Sequence, residues 1–99
     1  MAPQKKDPAR MSEHARRLRA TRLAYGYTQH YMSTLMGSTT IGQAWENYES
    51  GRRRISIDHA MALCKQLGLT LDWFYFGDMR GLNPGIAHAL RREQRIEAA

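Results

Sequence analysis

Apolar residues recur along this chain at steps of three and four, punctuated by glycines, and no stretch alternates apolar and polar residues at every second position. That periodicity predicts helices and no strands. A first helix is expected from about Ser12 to Ala24. Ser12 would cap it, Glu13 suits the positive end of its dipole, and Ala15, Leu18 and Thr21 share one face. Arg16, Arg17 and Arg19 fall largely outside that face, and Gly26 ends the helix. A second helix is expected from Thr28, a good N-cap, to Met36, with Gly37 as a left-handed stop. Met32, Leu35 and Met36 form its apolar stripe, and Ser33 is small enough for a close helix crossing. A third lies within Thr40 to Glu49. Trp45 and Tyr48 are three apart and anchor its inner face, so Gln43, Glu46, Asn47 and Ser50 fall on or near the outer side. Gly51 stops it.

Ser56 caps a fourth helix that ends near Leu67, with Ile57, Ala60, Met61, Leu63, Cys64 and Leu67 as a wide apolar stripe. Thr70 caps a short fifth helix over Leu71 to Tyr75. A last segment opens at Asn83-Pro84, a cap followed by proline at the first helical position, and continues toward Glu97 with Ile86, Leu90 and Ile96 on its apolar side. Residues 1–10 lack this periodicity and hold two of the three prolines, so they read as a flexible arm. Residues 11–79 then form one all-α domain, and residues 80–99 a helical extension.

Charge adds a partner class. The net charge is +6, unevenly placed: residues 1–27 carry seven Lys/Arg against two acids, residues 51–54 three arginines, and residues 80–99 four against two. The segment 28–50 has no Lys or Arg, only Glu46 and Glu49. Attraction to a polyanion therefore comes from the flanks, and the middle is left to read or to pack. No apolar run approaches the roughly 18 residues of a membrane helix, so no membrane partner is expected. Cys64 is the single cysteine and cannot form an internal disulfide, which fits a reducing cytoplasm.

His14, His30, His59 and His88 lack metal-ligand spacing, and the chain has no Gly-rich phosphate loop and no Gly-x-Ser-x-Gly elbow. No enzyme, metal or other cofactor is expected.

The most informative stretch is Tyr27 to Gly51 followed by Arg52-Arg53-Arg54: helix, glycine turn, second helix, glycine stop, then cations. This is the layout of a helix-turn-helix that sets its second helix in the DNA major groove. The block Thr28-Gln29, Gly37, Tyr48-Glu49-Ser50-Gly51, Ala62-Leu63-Cys64, Leu67-Gly68 and Leu71-Asp72-Trp73 resembles the Cro and phage-repressor type of helix-turn-helix domain, the Xre family. The likeness covers about residues 16–78 and includes Arg17-Leu18-Arg19, Arg22 and Gly26. Between Gly37 and Tyr48 the chain is slightly longer than the usual pattern, which leaves either a longer turn or a third helix that begins a turn earlier.

The resemblance implies a five-helix repressor-like fold, here with an added C-terminal helix, and a homodimer that binds operator DNA and regulates transcription. It implies a DNA contact by Gln29 and base readout by Gln43 and Asn47. Gly42 falls where a reading side chain is often found, so that contact is either lost or moved to Thr39 or Thr40. Arg22 and Glu49 match a family ion pair tying the first helix to the third; the alternative is that Arg22 reaches a phosphate. The residues themselves agree. The amides of Gln43 and Asn47, four apart, offer a donor and an acceptor that suit adenine, and Glu46 could accept from cytosine. Ser50, Arg52, Arg53 and Arg54 stand where the chain would pass the DNA backbone.

The run Trp73-Phe74-Tyr75-Phe76 exceeds what so small a core is expected to hide. With Ile86 and Leu90 it is expected at a dimer or partner contact, unless the tail folds back on its own domain. A second reading of function follows from that cluster: an antitoxin or antiactivator that holds a protein partner through the C-terminal region, with DNA binding secondary.

Overall fold

The computed structural model describes residues 8–37 and 43–98. Among these the chain is all-helical: α1 (Pro8–Tyr25), α2 (Gln29–Leu35), α3 (Gln43–Glu49), α4 (Ile57–Leu67), α5 (Leu71–Phe76) and α6 (Pro84–Ala98). No described helix is long and apolar enough to cross a membrane.

Local chemistry sets most of the boundaries. The hydroxyls of Thr28, Ser56 and Thr70 each accept from the backbone N–H three residues on, at Tyr31, His59 and Trp73, at 3.0, 3.2 and 3.0 Å. Each satisfies an N–H that the first helical turn leaves without a partner. Gly37 and Gly51 close α2 and follow α3 at φ of +79° and +82°, where a side chain would clash with its own backbone. The first helix departs from expectation. It begins at Pro8, so residues 8–10 are helix rather than arm and Ser12 lies inside it instead of capping it. Proline is well placed in a first turn, where its missing N–H would have had no partner, and Ala9, Arg10 and Met11 carry no helix-breaking feature.

The core forms on one side of α1. Leu18, Met32, Trp45, Leu63, Trp73 and Phe74 are fully buried there. Buried Thr21 and Ser33 find partners. Thr21 donates to the Arg17 carbonyl at 2.8 Å and accepts from Trp73 Nε1 at 2.9 Å. Ser33 Oγ accepts from the Trp45 backbone N–H at 3.3 Å, so α2 supplies a cap to the first turn of α3.

α6 lies along α1, burying Ala20 of α1 and Ala87 and Leu90 of its own inner face. Arg19 meets Glu97 there at 3.9 Å. The tail thus folds back on its own domain.

Two expectations about apolar surface change. Trp73, Phe74 and Leu90 are fully buried inside this single chain, and Ile86 packs against the same core. Tyr75 is half-buried, its hydroxyl donating to the Ile55 carbonyl at 2.7 Å. Of the six residues expected at a partner contact, Phe76 alone is broadly exposed, at 79%. Docking of α5 onto Thr21 and Arg17 of α1, a contact between residues far apart in sequence, hides the cluster. Conversely, Ile57 and Met61 do not join the core: they are 51% and 50% exposed, because α4 turns Ala60, Leu63, Cys64 and Leu67 toward it.

Candidate nucleic-acid interface

The exposed side of α3 is built from its buried side outward. Trp45 and Tyr48 are held in the core edge to face. Between them and α1 lies Glu49, whose carboxylate gathers four donors. Arg22 gives two, Nε at 2.6 Å and Nη2 at 3.2 Å, in a bidentate fork. Gln29 Nε2 gives a third at 3.2 Å, and Trp45 Nε1 the fourth. Arg22 also donates to the Tyr27 carbonyl at 3.0 Å. The side chains of Arg22 and Glu49 are 14% and 5% exposed. One carboxylate therefore ties α1, the first turn of α2 and the last turn of α3 into a single frame. Gln29, expected to contact DNA, has its amide N–H turned into that frame.

The other end of α3 is fixed to α4. The Tyr48 hydroxyl accepts from the Ser56 backbone N–H at 3.3 Å and shares a hydrogen bond with His59 Nδ1 at 2.8 Å. With its inner face held at both ends, α3 presents Gln43 outward, Glu46 and Asn47 half-exposed, and Ser50 exposed at its C-terminal end. Thr39 and Thr40 lie outside the described residues, as does Gly42.

The three arginines after Gly51 do not behave alike. Arg52 folds back on α3. Its guanidinium reaches Glu46 at 3.0 Å, Asn47 Oδ1 at 3.1 Å and Ser50 Oγ at 3.2 Å. This neutralises the one acidic group on the exposed side. Arg53 and Arg54 are exposed and make no ion pair with a described residue. Ser50 Oγ also donates to the Asn47 carbonyl at 3.0 Å, rounding off the helix end.

Behind this loop stands His14, a residue the sequence offered no reason to single out. It is buried, and its Nε2 accepts from the Ile55 N–H at 3.0 Å, so Nδ1 carries the proton. Its ring stacks on Tyr75, with centroids 6.3 Å apart. Burial, then the nearby charges of Arg17 and Arg54, pull its pKa down from 6.5 to about 4. The Phe74 carbonyl works in the opposite sense, although Nδ1 makes no hydrogen bond of normal geometry. His14 thus fixes the end of the Arg52–Arg54 loop to α1.

In chemical terms the surface offers amide groups able to meet base edges and flexible cations able to meet phosphates. No group of three or more His, Cys, Asp or Glu able to hold a metal ion occurs among the described residues. No family model matches the chain, and comparison with curated proteins and with solved structures gives no significant match.

Proposed function

We propose that this chain is a sequence-reading DNA-binding protein of the Cro and phage-repressor type. In this reading α2 and α3 are the helix-turn-helix and α3 enters the major groove. The protein acts in the cytoplasm as a homodimeric transcriptional regulator, most simply a repressor, on a pseudo-palindromic operator. The observation that carries this reading is the two-sidedness of α3. Its inner face is locked by Trp45, Tyr48 and Glu49, while Gln43 and Asn47 project amides outward beside the exposed Arg53 and Arg54. A rigid helix with outward amides and flanking cations meets the two demands of readout, orientation by phosphates and discrimination by base edges. A partner-holding module built on the aromatic cluster has less support, because Trp73 and Phe74 lie inside the core.

Two substitutions separate those demands. Arg53→Ala should weaken binding to every duplex alike and reduce the slope of log affinity against log salt by about one. Titrations of wild type and variant across a range of salt read this directly; an unchanged slope removes Arg53 from the phosphate contacts. Asn47→Ala should relax preference at one base pair per half-site, at a cost of about 1–3 kcal/mol against the preferred base only. Equal losses on specific and random duplex would show that Asn47 does not read a base.

A further inference from the structure

We infer that the exposed face of α4 is the homodimer contact, two copies of α4 packing antiparallel about a two-fold axis at Met61. This rests on the homodimer reading above and supplies the surface that the buried aromatic cluster cannot. Ile57 and Met61 stand one turn apart, half their surface open. Among the described residues no other helix exposes two large apolar side chains at that spacing. Cys64, which packs against the core, is half-buried and borders the same side, so apolar positions fall at intervals of four and three, the spacing of a coiled-coil seam whose edge meets the core.

The charges beside the seam suit a second copy of this chain. Asp58 lies in the first turn of α4 and Lys65 in the last, seven residues apart and so on the same flank of Met61. An antiparallel two-fold at Met61 keeps that flank on one side for both copies. It sets Asp58 of each copy opposite Lys65 of the other, Ile57 opposite Cys64, and Met61 against itself. An isologous contact requires this self-complementarity. A parallel pairing would put the two Asp58 at one height on opposite flanks, each about 10 Å along the axis from Lys65 of the other copy, and lose it.

Placement supports the choice. Tyr48 of α3 bonds Ser56 and His59 at the start of α4, so a pair of α4 helices fixes the separation of the two α3 helices. A helix of this length spans about 16 Å. Its seam alone falls short of the roughly 1,200–2,000 Å² buried by stable complexes, so the dimer without DNA is weak. Two copies on one operator gain the rest through effective concentration.

Sedimentation of the full chain without DNA, up to millimolar protein, tests the surface apart from any DNA activity. Asp58→Lys and Lys65→Asp should each raise the dimer dissociation constant about tenfold or more, and the double reversal should return it to within about threefold of wild type. Asp58→Lys also opposes the helix dipole, a cost the double variant carries in full, so recovery reports the contact between copies. Met61→Arg, which sets two cations at the axis, should leave only monomer with an unchanged helical spectrum. A wild type that stays monomeric throughout overturns the proposal. So do single reversals that dimerise like wild type, or a double reversal that fails to recover. Failure of DNA selectivity beside the expected assembly results would sink the DNA reading and leave the α4 contact standing.

Discussion

Glu49→Ala is expected to cost about 3–5 kcal/mol of folding stability, the range for breaking one partner out of a buried ion pair. The carboxylate is nearly sealed from water and accepts from Arg22, Gln29 and Trp45 at once. Its loss strands a guanidinium with little exposure and an indole N–H in a space shaped for an anion. A domain of this size has about 5–15 kcal/mol in total, so the variant should melt far below wild type or fail to hold α3 at all. The double variant Arg22→Leu/Glu49→Leu should recover part of the loss, because an apolar pair leaves no charge uncompensated. Urea unfolding of the four proteins gives the coupling directly. A Glu49→Ala midpoint close to wild type would show that the pair does not hold α1 to α3.

A second large effect is expected from acid. His14 is neutral in the folded chain, with its pKa near 4, against an unfolded value of 6.5. Between those values the unfolded chain takes up a proton and the folded chain does not. The linkage therefore runs one way: the contribution is fully present above pH 6.5 and drains as pH falls toward 4, by about 3 kcal/mol in all. Protonation would also set an Nε2–H against the Ile55 N–H it now accepts from, with Arg17 and Arg54 already near. His14→Gln should be less stable than wild type at neutral pH yet lose much less between pH 6.5 and 4. If both proteins lose stability in parallel over that interval, His14 is not the group that titrates.

How far the sequence reached depends on the range of the interactions involved. Thr28, Ser56 and Thr70 were legible as caps because each bond spans three residues, and Gly37 as a stop because its φ is a local matter. The inward set of α3 was legible from the spacing of Trp45 and Tyr48. The errors arose where distant segments meet. Ile57 and Met61 match the helical period as well as Ala60 and Leu63 do, and only the placement of α5 and α2 decides which arc of α4 is covered. Trp73 and Phe74 looked too many for a small core because the sequence does not say that Thr21 and Arg17 receive them. Nor does the sequence say that Gln29, expected at DNA, also donates an amide N–H to Glu49, or that Arg52, unlike Arg53 and Arg54, bends to Glu46. His14 gave no signal at all, since its acceptor role depends on Ile55, 41 residues away.

The most direct test of the DNA reading is selection of bound duplexes from a random-sequence library at physiological salt, with the wild-type protein and no other factor. Enrichment of one two-fold-symmetric motif is predicted, its half-sites about one helical turn (roughly 34 Å) apart, with preference at one position per half-site relaxed for Asn47→Ala. Recovery of duplexes without any common sequence, at an affinity set by salt alone, would contradict readout by α3 and leave only a basic protein that holds DNA by its charge.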